Sequence, residues 1–302
     1  MKRDLLSVAD LSRNDIEQLI EQALVMKRKA PSHLPQGKVL ALLFEKSSLR
    51  TRISFDTAMY QLGGHTIYLS PDEIGLGKRE QVSDVARALS RYVDVIAART
   101  FSHDTLYTLA QYSSVPVINA LSNLEHPCQA FSDLLTIYEK KRRLSGLTLA
   151  FIGDANNVAN SVFLAASLVG VNFRIAFPPG YEIKPEVIKQ GQEFAVSSGS
   201  QIKLTNEPAE AVRNADIVYT DVWTSMGQES ETEKRLVAFS TYQVDNKLLD
   251  LAKGDVIFMH PLPAHHGEEI STGLLDDPRS VVFDQAENRL HLQKALLIKL
   301  LR

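Results

Sequence analysis

Behind Ser12, the apolar residues Ile16, Leu19, Ile20, Ala23 and Leu24 recur at the three- and four-residue spacing of one helix face. Asp15 stands where a capping box takes an acid. A surface helix is predicted there. After it the period changes. Apolar runs of strand length at 39–44, 66–69, 95–98 and 115–119 alternate with helical segments at 51–62, 82–92, 105–112 and 127–138. The charged run "EKKRR", residues 139–143, and Gly146 then interrupt the pattern. Most such runs are solvated helix ends, but this one sits near the midpoint, as an interdomain hinge would. A second set follows, with strands at 147–152, 173–177, 202–205, 217–220 and 256–259 and helices at 158–168, 185–197, 209–213 and 244–251. The amphipathic end "AENRLHLQKALLIKLLR" predicts a closing helix.

Strands that read as continuous apolar runs, each followed by a helix, belong to parallel sheets buried on both faces by right-handed crossovers. The expected fold class is therefore α/β, with two doubly wound parallel-sheet domains and an active site in the cleft between them. The expected domains are 1–140 and 141–286, with the closing helix 287–302 packing back on the first. A length of 302 residues fits two domains, and 44% hydrophobic residues suffice for two cores.

Charge and cysteine usage narrow the function classes. A net charge of −3 argues against a nucleic-acid or anionic-membrane surface. The single cysteine, Cys128, cannot form an internal disulfide, which suits a reducing cytoplasm. No apolar run reaches the length of a membrane span, and the first twenty residues turn polar too early for a signal peptide. A soluble cytoplasmic protein is expected.

Five stretches carry candidate chemistry, and each lies at the carboxyl end of a predicted strand, where open α/β sheets bind ligands. In "FEKSSLRTRISF", 44–55, a Ser/Thr/Arg cluster leads from a strand into a helix. The N–H groups and dipole of a helix start favour an anion, Ser48 and Thr51 add hydroxyls, and Arg50 supplies a planar fork suited to phosphate. A capped helix with solvent-facing arginines reads equally well from this segment alone. In "HPCQ", 126–129, His126 can donate to a carbonyl oxygen and Gln129 can pair with an amide, although such a motif is more often structural. Cys128 is a candidate nucleophile, or a small hydrophobe in helix packing.

"GDANNVANS", 153–161, has one glycine where a dinucleotide fingerprint needs three, which argues against NAD; Asn156 and Asn157 suit a small carboxylate. In "TDVWTSMGQE", 220–229, Asp221 can meet an ammonium, the SMG segment can close on a substrate, and Trp223 reads as core. "FMHPLPAHHGEEI", 258–270, gathers His260, His265 and His266. Their spacing is not that of H-E-x-x-H and thiolates are missing, so no metal site is expected.

Together these stretches resemble the carbamoyltransferase family, in its ornithine-using branch. Ser48, Leu49, Arg50, Thr51 and Arg52 meet S-x-R-T-R. His126, Pro127, Cys128 and Gln129 meet H-P-x-Q, and Asp221, Trp223, Ser225, Met226 and Gly227 meet D-x-W-x-S-M-G. His260, Leu262 and Pro263 meet H-C-L-P except at the cysteine, and "AENR" ends at Arg289. The order and spacing agree over essentially the whole chain. The resemblance implies carbamoyl transfer from carbamoyl phosphate to an amine, with phosphate released and neither metal nor organic cofactor. It makes 1–140 the carbamoyl phosphate-binding domain and 141–286 the domain for L-ornithine.

By resemblance, Ser48, Leu49, Arg50, Thr51 and Arg99 hold the phosphate. His126, Gln129 and Arg289 orient and polarise the carbamoyl group, with the carbonyls of Pro261 and Leu262 beside it. Arg99, His126, Gln129 and Arg289 are the implied catalytic set, and Asn157, Asp221, Ser225 and Met226 hold ornithine. A homotrimer in arginine biosynthesis is implied as well. Two positions depart from the pattern. Pro261 replaces the family cysteine, giving the "HPLP" of the aspartate-using branch. Gly75 stands in the loop "EIGLGKREQ", 73–81, where a neighbouring subunit lends a Gln or His in relatives, with Lys78 or Arg79 as substitutes.

Overall fold

A computed structural model describes residues 4–28, 37–76 and 79–301. Lys78, one of the two candidates in the 73–81 loop, lies outside them. The chain divides into two compact units, unit 1 formed by Met1–Leu135 with Glu287–Arg302 and unit 2 by Thr136–Ala286. Each is a parallel α/β sheet.

In unit 1 the strands are β1 (Val39–Phe44), β2 (His65–Leu69), β3 (Val95–Arg99) and β4 (Val117–Leu121), in the order β2-β1-β3-β4. Every pairing is parallel. The order reverses between β1 and β3, whose last residues, Phe44 and Arg99, lie in register. A crevice at such a switch point is where open parallel sheets take ligands. The ladder of β4 starts two residues later than the apolar run at 115, because Pro116 has no N–H to give and serves only through its carbonyl, which accepts from Ile96.

In unit 2, β5 (Thr148–Ile152), β6 (Asn172–Ala176), β7 (Ile202–Thr205), β8 (Ile217–Thr220) and β9 (Ile257–Met259) stand in the order β7-β6-β5-β8-β9, again all parallel. Here the switch point lies between β5 and β8, and Ile152 is paired with Thr220 at their ends. Gly153, at φ +126°, turns the chain out of β5 in a backbone region that side chains disfavour. The helix expected over 244–251 shrinks to Asn246–Leu249. Asp245 caps it, and Val244 is held instead in a short bridge to Ile270. The helix Thr232–Phe239 was not predicted: it opens on four polar or charged residues and shows no apolar period.

The first helix, Arg13–Arg28, starts where expected, with Ser12 and Asp15 exchanging side chain-to-backbone hydrogen bonds. "EKKRR" does not break the chain: the helix Pro127–Lys141 continues through Glu139, Lys140 and Lys141. The closing helix Val282–Leu301 is tied to unit 1 by Lys294 to Gln61 at 2.8 Å, Asn288 to Lys27 at 3.0 Å and Lys299 to Asp15 at 2.7 Å. These bonds bring Arg289 under the switch point of unit 1.

Candidate active site

In unit 1 the helix Leu49–Gln61 begins just beyond β1, with Ser48 as its N-cap. The Ser48 hydroxyl accepts from the Thr51 N–H at 3.3 Å, so its own O–H remains as a donor toward the helix start. Leu49 is largely exposed and offers its backbone N–H, one of the donors a helix start leaves without an intrahelical acceptor. Thr51 is buried, and its Oγ1 accepts from Arg289 Nη2 at 2.6 Å.

Arg99, the last residue of β3, is buried at the sheet end. Burial, then the charges of Arg289 and Arg50, pushes its guanidinium down to about 10. Arg50 is lowered by burial as well. Neither Arg50 nor Arg99 has a carboxylate partner among the described residues. Cations held together against their own repulsion, beside a helix N-terminus, make an anion site.

His126 precedes the helix Pro127–Lys141 and is buried. Burial, with Arg289 and Arg99 adding to it, holds its imidazole well below the usual histidine range. A neutral ring that donates one N–H can polarise a carbonyl without bringing a proton to it. Gln129 is buried one turn on, its Nε2 donating to Asp133 Oδ1 at 2.8 Å. Cys128 is no nucleophile: burial pushes its thiol up to about 12, and Sγ lies 3.5 Å from the Asn119 carbonyl.

In unit 2, Asp221 follows β8 and is buried. Its Oδ2 accepts from Asn156 Nδ2 at 2.8 Å and its Oδ1 from the Val222 N–H at 2.9 Å. Burial raises its pKa, opposed by His260 and the Asn156 bond. Asn156 caps the helix Asn157–Val169 with Oδ1 and gives one Nδ2 hydrogen to Asp221, which leaves the second N–H as its donor for a small carboxylate. Asn157 starts that helix half-buried. Ser225 is half-buried, its N–H bonded to Gln228 Oε1 at 3.1 Å, and Met226 is exposed.

The residue that ties these loops together was not predicted. Arg235 is buried in the helix Thr232–Phe239. Nη1 donates to Asp154 Oδ2 and to the Trp223 carbonyl, each at 2.9 Å, and Nε donates to Glu231 at 3.0 Å. The only local signal was the i, i+4 pair with Glu231; Asp154 is far away in sequence. Trp223 stacks on Phe239 as core.

The loop after β9 is fixed by His260. Its Nδ1 accepts from the Leu262 N–H at 2.9 Å, which leaves the hydrogen on Nε2 to face Glu269 Oε1 at 3.1 Å. The His260 N–H donates to Gln285 at 2.9 Å. Pro261 is buried, and Leu262 is half-buried at φ +57°. The three histidines do not converge; His265 instead lies with Glu268 and Glu269, their ligand atoms within 4.8 Å of one another. Glu269 Oε1 already accepts from His265 N–H and faces His260, so this cluster reads as a loop anchor.

Sequence profiles for two domains cover nearly all of this chain. The carbamoyl-P binding domain of aspartate/ornithine carbamoyltransferases matches residues 3–139, and the Asp/Orn binding domain matches 145–300. The chain belongs to the aspartate/ornithine carbamoyltransferase family. Within that family it is 51% identical to the ornithine carbamoyltransferase of Methanosarcina mazei over 306 aligned residues, with both chains covered in full. It superimposes on the Pyrococcus furiosus ornithine carbamoyltransferase with a TM-score of 0.95 at 47% identity, covering 98% of this chain and 96% of that one. An anabolic ornithine carbamoyltransferase from Campylobacter jejuni gives the same TM-score at 40% identity, covering 99% of both.

Proposed function

We propose that the protein transfers the carbamoyl group of carbamoyl phosphate to the side-chain amine of L-ornithine, giving L-citrulline and phosphate. The observation that carries this reading is the pair Arg50 and Arg99 at the β1/β3 switch point, without carboxylate partners and beside the Ser48–Thr51 helix start. These groups, with Leu49 N–H and Thr51, hold the phosphate. His126 and Arg289 polarise the carbamoyl oxygen and Gln129 takes the carbamoyl nitrogen. The free amine adds to the carbamoyl carbon, and the oxyanion that forms is stabilised by donors already in place. The C–O bond to phosphate then breaks, and the departing phosphate accepts the proton lost by the amine.

In unit 2, Asp221, Asn157, Ser225 and Met226 hold ornithine, with Asp221 facing its α-ammonium. The acceptor is ornithine rather than aspartate for a reason of charge. A second carboxylate needs a cation, and Arg235, a cation beside these loops, is engaged by Asp154, Glu231 and the Trp223 carbonyl. The strong likeness to an anabolic relative supports a place in arginine biosynthesis, and the absence of a membrane-crossing helix among the described residues fits the cytoplasm.

The polar loop 73–81, turned at Gly75 (φ +52°) with Arg79 N–H bonded to the Gly75 carbonyl at 2.7 Å, suits a reach into a neighbouring copy and so supports the homotrimer that the family resemblance implies. A fully active monomer in light scattering refutes the trimer. For the activity, citrulline formation is measured with ornithine, aspartate, acylornithine and putrescine offered in parallel. Asp221→Asn raises the KM for ornithine and leaves that for carbamoyl phosphate nearly unchanged. Preference for aspartate in direct competition overturns the assignment.

A further inference from the structure

Gln129 presents a carboxamide with a donor end and an acceptor end, and which end faces the substrate is a choice the structure has to make. Asp133, one helical turn further on and 1% exposed, makes it. The amide turns its N–H toward Asp133, Nε2 donating to Oδ1 at 2.8 Å, the accepting role that suits a carboxylate oxygen. The reversed amide would set two oxygens against each other. Oε1 is thereby directed away from Asp133, and it is buried without a hydrogen-bond partner among the described residues. A buried acceptor of that kind is costly unless a donor meets it.

We infer that Asp133 is a positioning residue that fixes the polarity of the Gln129 amide, so that the site selects an acyl phosphate bearing an N–H group over one of the same shape without it. The inference rests on the carbamoyl phosphate reading above. Under it, the carbamoyl NH2 meets Oε1, whereas the methyl group of acetyl phosphate cannot. The rejection is of the strong kind, because the wrong ligand leaves a buried polar atom unmatched. Asp133 itself touches no reacting atom.

The test uses the full-length protein and three ligands that share the phosphate: carbamoyl phosphate as substrate, and acetyl phosphate and inorganic phosphate as competitive inhibitors. Asp133→Leu removes the acceptor and frees the amide to rotate. The KM for carbamoyl phosphate is expected to rise by about tenfold or more, the loss of one well-matched hydrogen bond, while both inhibition constants stay within about twofold. Asp133→Asn, whose carboxamide can accept from Nε2 or donate to Oε1, leaves the polarity only partly fixed, and its ratio falls between those of wild type and Asp133→Leu. In a Gln129→Leu background, Asp133→Leu adds nothing further to the ratio.

Equal weakening of all three ligands overturns the proposal, since it marks a general packing defect, and so does an unchanged ratio in a folded Asp133→Leu protein. If that variant does not fold, Asp133→Ser, smaller and less apolar, gives the same reading of the ratio. Failure of the underlying function is a separate result: the wild type then forms no citrulline from carbamoyl phosphate.

Discussion

Arg99 in unit 1 and Arg235 in unit 2 are equally withdrawn from solvent, 7% and 6% exposed, and their surroundings differ. Around Arg99 the charged neighbours are Arg289 and Arg50, and burial with that repulsion pushes it down to about 10. For Arg235 burial pulls the same way, but Asp154 and Glu231 outweigh it and its pKa rises. One cation is held in reserve for something that arrives from outside. The other is consumed by the fold, where it joins the loop after β5 to the loop after β8. A buried arginine is thus not a site by itself; what distinguishes Arg99 is the absence of an internal anion among the described residues.

The comparison breaks most visibly at Arg235. Arg235→Ala leaves Asp154 buried without its cation, and such a loss costs about 3–5 kcal/mol. Urea denaturation at neutral pH measures it, and an unchanged midpoint would mean that the pair contributes nothing net. Because the same side chain holds the Trp223 carbonyl, the KM for ornithine should rise in whatever fraction stays folded, with little change for carbamoyl phosphate.

Asp154 adds a pH signature of the same network. Burial raises it to about 6, against the opposing pull of Arg235. The folded protein therefore holds this proton more tightly than the unfolded chain does. The stabilisation is complete below about pH 4 and is lost as pH rises through about 6, on the order of 2–3 kcal/mol in all. Asp154→Asn removes that dependence, so the stability difference between wild type and variant must change between pH 4 and pH 7. Parallel curves would show that Asp154 is ionised throughout.

At Arg99 the expected effects have the opposite character. Arg99→Gln should weaken carbamoyl phosphate by about 1.5–3 kcal/mol, roughly ten- to a hundredfold, through the loss of charge-assisted bonds. The ligand-free protein should melt no lower than wild type, since a desolvated and repelled charge has been removed. Calorimetric titration and thermal melting together check both halves. A destabilised variant that still binds normally would place Arg99 among the structural arginines.

What the sequence allowed to be read follows from how local each signal is. β1, β7 and β8 lie on their apolar runs end to end, because polar or helix-capping residues bound each run on both sides. Thr51 could be picked out from its strand–loop–helix position, whereas Arg99 was reached only through the family resemblance. Their meeting with Arg289 could be reached only through the family resemblance, because that bond spans 238 residues. The Asp154–Arg235 pair spans 81 residues with no motif around its second member, so no pattern could announce it. Asp133 did leave a signal, four residues after Gln129 on the same helical face, but an i, i+4 polar pair is too common to stand out. Asn156 was ambiguous for a related reason. Its side chain suits a ligand and an N-cap equally, and the orphan N–H groups of Val158 and Ala159 claim it.

The smallest effect is expected at Pro261, where the chain departs from the family cysteine. The bonds that shape this loop run from Leu262 N–H to His260 Nδ1, from His260 N–H to Gln285, and between His260 Nε2 and Glu269. Proline has no N–H and takes part in none of them as a donor. Its contribution is the restriction of its own φ angle and a carbonyl with a settled direction. Pro261→Cys therefore keeps the loop's hydrogen bonds, and greater freedom of the unfolded chain should cost only about 0.4–1 kcal/mol of stability. A thiol gained beside the amine can lower the KM for ornithine. No covalent step in the proposed reaction needs that thiol, so kcat should stay within about threefold, a barrier change below 1 kcal/mol. Steady-state kinetics of the two proteins with ornithine decide the matter. Should the wild type be inert with every amine while Pro261→Cys turns over ornithine, proline would mark a lost activity, and the Arg99 reserve of charge would have no reaction to serve.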